Sequence, residues 1–264
     1  MNELFALRGE LSRRKKLYLN IAGLLLILMV WQALFMFQIF PAALFPAPMR
    51  VVGTLPDLFK QDNLVGSVAY SLKLNLLGYL IAIVVSIPIG YALGLFPIFR
   101  EMFSKVIDAG RFLPLTAVTG LFIAWFGIED TMKVNFLAFG ILLYLIPVII
   151  NRINEVDQVY LDTAQTLGFT TYQKIRHIFV PAVFSKVFDD IRVIVAISWT
   201  YIIIAEVLNK TNGIGALIAT VARQSRIDKV FMLLFIIILI GLAQDKLFKL
   251  LDQLLFPHKY NSEA

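Results

Sequence analysis

A series of apolar runs constrains this chain more than any other feature. They fall at about 17–40, 72–96, 106–128, 132–150, 191–208 and 230–247, each near the roughly 20 residues that a helix needs to cross the hydrocarbon of a bilayer. Lipid offers the backbone no hydrogen-bond partner, so runs of this length are expected to be helices that satisfy their own N–H and C=O groups. With 59% hydrophobic and only 16% charged residues, the composition excludes an ordinary soluble domain. The expected class is an all-α integral membrane protein of about six transmembrane helices. The chain has no cysteine, which excludes a disulfide framework and a thiolate metal site.

The segments between the runs set the orientation. Arg8, Arg13, Arg14, Lys15 and Lys16 precede the first run. That run is too long for the core of a signal peptide and ends in Phe40 and Pro41 rather than in small residues, so it reads as a retained span. Pro41, Pro46, Pro48 and Pro56 argue for an external segment with short interfacial helices over 41–67. Pro88, Gly90 and Gly94 are expected to bend the second span or to let another helix come close. Residues 212–215, Asn-Gly-Ile-Gly, precede a possible short helix from Ala216 that dips back into the external face. If the chain begins inside, the larger share of Lys and Arg lies on the inner side, which puts both termini and residues 155–182 in the cytoplasm. The net charge of +6 therefore reflects mainly cytoplasmic segments and calls for no nucleic-acid partner.

One polar stretch is patterned like folded helix. Between Glu155 and Ala182, Thr170 with Gln173 three residues later has the form of a capping box. Gly168 just before it can take the left-handed conformation that closes a preceding helix. The expected drawing is a helix to about Leu167, a tight corner, a second helix from Thr171, and an end or restart at Pro181. Leu161, Ala164 and Leu167 share one face of the first helix; Tyr172, Ile175, Ile178 and Phe179 share a face of the second.

With Asp162-Thr163-Ala164 in front, Gly168 in the middle, and Ile178 and Val180-Pro181 behind, this stretch resembles the EAA motif of type I ABC importer permeases, the MetI-like fold. Asp162 stands where the family has Glu, Thr163 where it has the first Ala, and Val180 where it has Leu. The resemblance implies a cytoplasmic coupling helix, carried by Asp162, Thr163, Ala164, Gly168, Ile178 and Pro181, that docks on a separate ATPase. Arg111-Phe112-Leu113-Pro114, Trp125-Phe126-Gly127-Ile128, Ala205-Glu206, Gly213-Ile214-Gly215 and Phe45-Pro46-Ala47-Pro48 resemble the nitrate, sulfonate, taurine and bicarbonate branch. Val118-Thr119-Gly120 and Asp189-Asp190 depart from it. The likeness divides the chain into a tail and first span (1–44), a permease domain (45–256) holding the hairpin at 155–182, and a C-terminal tail (257–264).

What the resemblance implies is a subunit of a bacterial inner-membrane importer. Two copies would enclose one path for a small anion such as a sulfonate, nitrate or bicarbonate. Two ABC ATPase subunits would carry ATP and Mg, and an extracytoplasmic solute-binding protein would deliver the solute. The chain itself has no GxxxxGK[ST] phosphate loop, and its two histidines, His177 and His258, supply neither a metal site nor a catalytic dyad. It is therefore read as non-catalytic, with no cofactor or metal of its own. Candidates for lining or gating a path are Asn75, Tyr79, Arg111, Thr116, Ser198, Trp199, Thr200 and Glu206, because polar groups within spans are costly unless used. Arg111 is expected to pair with Asp108, and Glu206 with Lys210 or Lys229. A self-sufficient channel or ion-driven transporter predicts mid-span ionisable residues and internal repeats, and a membrane enzyme predicts a cluster of His, Asp or Glu; neither pattern is evident.

Overall fold

The computed structural model describes residue 9 and residues 11–209 and 211–259. Arg8 and Lys210 lie outside the described residues, as does the side chain of His258. Among the described residues five helices are long and apolar enough to cross a membrane, or six when one bent pair is counted as a span. The chain divides into two compact units.

The first unit holds residues up to 62 together with 221–233. Its long helix, α1 (Arg13–Met36), is capped by Ser12, whose hydroxyl accepts the Lys15 N–H, and none of its residues is buried. An aromatic knot does the packing here. Trp31 stacks on Phe231 at 5.6 Å, meets Phe45 edge-on at 6.1 Å, and donates its indole N–H to the Pro46 carbonyl at 3.0 Å. The proline-rich segment forms two short helices, α2 (Pro48–Gly53) and α3 (Leu55–Lys60), each opened by a proline in its first turn, where the missing N–H costs nothing. In the same unit Lys229 pairs with Asp62 at 2.5 Å, and Asp228 with Arg226 at 3.0 Å.

The second unit is a helix bundle over 63–220 and 234–264. Helices α4 (Leu64–Leu95) and α7 (Asp130–Asn154) lie side by side because glycines remove the side chains that would keep them apart. A Cβ at Gly78 would sit 2.6 Å from Leu137, and one at Gly90 2.7 Å from Ile149. This is small-residue packing between membrane helices. Pro88 is accommodated within α4, which runs on unbroken as one helix. Helix α10 (Val180–Asn209) completes the core, burying Val195 and Ile202 alongside Leu74, Leu137, Ile141 and Leu145.

The expected third span over 106–128 is corrected. It is two helices, α5 (Pro97–Gly110) and α6 (Leu115–Phe126), bent by 105°. The break falls at residues 111–114, where Pro114 lacks an N–H and disfavours helical geometry in Leu113. The second and fifth spans also begin earlier than hydropathy predicts, at Leu64 and Val180, because the helices α4 and α10 continue through polar residues such as Lys73, Lys186 and Asp189. Helices α11 (Ile214–Arg223) and α12 (Ile227–Leu255) follow.

Candidate functional site

The hairpin between α7 and α10 is built almost entirely by local rules. Helix α8 (Gln158–Thr166) starts at Asp157, whose carboxylate accepts the Val159 N–H. It ends at Gly168, which has φ +73°. The Phe169 N–H reaches the Ala164 carbonyl at 2.9 Å and the Gly168 N–H the Gln165 carbonyl at 3.0 Å, the pair of bonds that closes a helix around a left-handed glycine. Thr170 and Gln173 then form the expected capping box at the start of α9 (Thr171–Lys174). A wide turn of π-helix over Ile175–Phe179 leads into α10. Pro181 explains that turn: it has no N–H for the His177 carbonyl, and its ring pushes that carbonyl aside. Pro181 therefore does not end the helix, and residues Thr171–Leu208 form one apolar helical run.

Of the six hairpin residues singled out, Ala164 is buried and Ile178 half-buried, while Asp162, Thr163 and Pro181 are exposed. Asp162 accepts from the Gln158 amide at 3.0 Å, and Thr163 donates to the Val159 carbonyl at 2.7 Å. The expected apolar faces are only partly turned inward. Leu167 is 68% and Tyr172 66% exposed, and so are Val159 (64%) and Tyr160 (62%). Four large apolar side chains thus stand in the open on a polar hairpin.

The base of the hairpin is held by ion pairs that sequence reading missed. The Arg152 guanidinium bonds both oxygens of Asp190 at 2.7 Å, joining α7 to α10. Its other edge bonds both oxygens of Glu155 at 2.9 Å, and Lys186 adds a 3.2 Å contact to Glu155. Arg152, and then Lys186, hold the Glu155 carboxyl below the usual glutamate range. Three further pairs follow on the same unit: Arg192 with Asp245 at 2.5 Å, and Lys259 with both Asp252 at 2.9 Å and Asp189 at 3.0 Å. The Asp189-Asp190 step that departs from the branch pattern is the signal that pointed here, since two adjacent acids at the start of a span need cations.

The far end of α10 is closed on itself. Glu206 is fully buried. Its carboxylate accepts from the Ser71 hydroxyl at 2.7 Å and from the Gly215 N–H at 2.8 Å, while Ser71 also accepts the Ile214 N–H at 2.9 Å. Gly213, with φ +103°, lies so near the Glu206 carboxylate that a Cβ has no room. The expected Glu206 pairing is thereby corrected: its partners are a hydroxyl and a backbone amide, Lys229 pairs with Asp62, and Lys210 lies outside the described residues. Fully buried Lys133 lies next to this cluster, bonding Tyr70 at 3.0 Å and Thr211 at 3.3 Å, and Tyr70 donates to Asp130.

Between the two ends, the bundle brings together four of the pathway candidates. Asn75 and Ser198 share a 3.1 Å hydrogen bond, Tyr79 lies one turn along α4, and Trp199 donates to Gln244 of α12 at 2.6 Å. Thr200 is exposed. Arg111 and Thr116 lie at the α5–α6 elbow, apart from this group, and Arg111 pairs with Asp108 at 3.0 Å, both side chains exposed. Among the described residues no group of His, Cys, Asp or Glu could hold a metal ion.

Comparison with known proteins gives one consistent likeness. The family model described as binding-protein-dependent transport system inner membrane component matches residues 82–256. The putative aliphatic sulfonates transport permease protein SsuC of Bacillus subtilis is 28% identical over 265 residues, covering 97% of this chain and 95% of its own. The taurine transport system permease protein TauC of Escherichia coli is 26% identical over 255 residues, covering 95% and 92%. Among solved structures, an amino acid ABC transporter superposes with a TM-score of 0.61 at 18% identity, covering 75% of this chain and 97% of that one; at that identity the likeness concerns the fold.

Proposed function

The chain belongs to the family of binding-protein-dependent transport system inner membrane components, the permease components of ABC importers, and from that premise we propose that it forms the path for a small organic anion of the sulfonate class. The substrate class rests on the names of its relatives. Two copies enclose the path, a pair of ATPase subunits binds beneath it, and a solute-binding protein loads it from outside. Both termini and the hairpin are cytoplasmic, the orientation that the distribution of Lys and Arg favours.

One observation carries the coupling role. The hairpin exposes Val159, Tyr160, Leu167 and Tyr172 on a polar segment, and its second arm runs into a span without interruption. Exposed apolar groups clustered on a polar element mark a surface made for a partner. A push on them is passed along one continuous helix, which is how a soluble two-state machine shifts a membrane bundle between packings. Asp162 anchors the docking surface from the exposed side of α8, and Gly168 sets the angle between its arms. The bundle needs no covalent chemistry to do this, since transport by alternating access changes only which side is open.

The test is uptake of taurine or an alkylsulfonate into vesicles holding the permease, its neighbouring ATPase and the binding protein. ATP-dependent uptake that is lost in Leu167→Glu with Tyr172→Glu, while the permease still assembles in the membrane, is the expected result. Uptake that runs without ATP or ATPase contradicts the reading and leaves a self-sufficient transporter.

A further inference from the structure

Helix α5 has two faces of different chemistry. Phe99, Phe103 and Val106 line an apolar hollow against α4. Ser104, Asp108 and Arg111, at the same helical spacing on another side, line a second hollow of about 250 Å³ whose far wall is Pro147, Ile150 and Asn151 of α7.

This second hollow opens beside the elbow of the broken span. A Cβ at Gly110 would sit 3.0 Å from Leu143, and one at Gly140 would sit 2.7 Å from Leu115. Gly140 and Leu143 are about 15–20 Å from the start of α7 at 1.5 Å per residue, which is the middle of a span. Non-helical backbone at that depth is tolerated only where protein buries it or water reaches it. This chain does not bury it: Phe112 is 86% exposed, and Arg111 and Asp108 have 43% and 58% of their side chains open. Charged side chains within a span turn toward a bundle interior or a water-filled cavity. The elbow and its charged pair therefore belong on a wet face and not against lipid.

The pair itself is open on both sides. Arg111 Nη2 donates to Asp108 Oδ1 at 3.0 Å, while Nε and Nη1 of the guanidinium and the other oxygen of Asp108 have no partner among the described residues. An ion pair this exposed adds little net stability, so a solute with matching charges can take its place. A lone sulfonate, or nitrate, that meets Arg111 also meets the like charge of Asp108. A lone ammonium meets the reverse. A zwitterion answers both, its sulfonate oxygens accepting from the guanidinium fork and its ammonium donating to the carboxylate.

We propose that the Asp108–Arg111 pair is a solute-selecting site of the permease, and that it takes a zwitterion: a sulfonate with an ammonium on a short chain. The proposal rests on the transporter reading and narrows its substrate class from sulfonates in general to amino-sulfonates. The volume agrees, since 250 Å³ falls below the range of sites for drug-sized ligands.

The chain has no cysteine, so Ile150→Cys places a single thiol on the apolar wall of the hollow. Its labelling by N-ethylmaleimide is read on the permease by intact mass, with the permease in bilayer discs and its ATPase bound. Ser104→Cys gives the same reading from the α5 wall where the first variant fails to assemble. Taurine at about ten times its half-protecting concentration should slow labelling about tenfold by mass action. Ethanesulfonate, which lacks the ammonium, and ethylamine, which lacks the sulfonate, should each need at least about tenfold more, the worth of one charged hydrogen bond. Asp108→Asn should bring taurine and ethanesulfonate level, and Arg111→Gln should abolish protection by both. A taurine-to-ethanesulfonate ratio that Asp108→Asn leaves unmoved reduces the pair to a helix-end contact and overturns the proposal. ATP-driven uptake of taurine without protection overturns this site and spares the transporter reading; protection without ATP-driven uptake keeps the site and overturns the transporter reading. Thiols that never label, equal protection by ethanesulfonate with the pair intact, or a disulfide joining two Ile150→Cys copies each overturns the proposal, the last by making the hollow a contact between copies.

Discussion

The two ends of α10 are made in opposite ways. At the hairpin end, structure is set by neighbours in sequence: a capping box, a glycine-closed corner and a π turn at a proline, with large apolar groups left outside. At the far end it is set by groups distant in sequence, with Ser71 of α4 and the 213–215 loop closing on buried Glu206. On the proposed reading the first end is completed by another molecule. The second is complete within the chain. A helix continuous between an exposed apolar surface and a buried polar lock has the form of a lever with one free end and one seated end.

That contrast can be broken at either end, and the seated end should respond most. Glu206→Ala leaves the Ser71 hydroxyl and the Gly215 N–H buried without an acceptor, a loss of about 2–3 kcal/mol or more. The thermal midpoint of the purified permease should fall clearly, whereas Asp162→Ala at the free end should barely move it. Equal shifts from the two variants would erase the distinction.

Next in size is the joint that fixes the free end to the bundle. Arg152 is 31% and Asp190 18% exposed, so their bidentate pair is partly screened and should show a coupling energy of about 1 kcal/mol in a double-mutant cycle. Its larger effect should be on transport. Arg152→Asp alone should leave ATP hydrolysis running while uptake per ATP falls, and adding Asp190→Arg should recover part of that ratio. No recovery would mean that the charges do not act as a pair.

The smallest effect sharpens the same point through pH. Glu155 is held below its usual pKa by Arg152 and Lys186, so its contribution is fully present above the ordinary glutamate value and is lost as pH falls through the lowered one. Because Glu155 is 42% exposed, the contribution is under about 1 kcal/mol. The melting difference between wild type and Glu155→Gln should hold steady near neutrality and vanish in acid; a difference that stays constant down to acid pH would remove Glu155 from the joint.

This division also explains what could be read in advance. Gly168, Thr170, Gln173 and Pro181 act on residues within a few positions, so their spacing in the sequence carries their geometry. The apolar runs likewise reveal the spans, although Pro114 divides one of them where hydropathy alone cannot show it. Glu206 meets Ser71 and Lys133 meets Tyr70 across more than sixty residues of chain, and Arg152 meets Asp190 across the whole hairpin. No local pattern records which of several polar groups within a span will face which. Leu167 and Tyr172 show a related limit: periodicity identifies an apolar face but not whether this chain or another covers it.

The most direct measurement is a cross-link from the free end. In a chain without cysteine, Leu167→Cys provides one thiol on the exposed corner, to be tested in assembled, transporting vesicles with a short bifunctional reagent. The account predicts an adduct between the permease and the ATPase that forms at 167 and at Tyr172→Cys, and not at Leu208→Cys near the other end of the helix. Active transporter that gives no adduct from either hairpin position would contradict it.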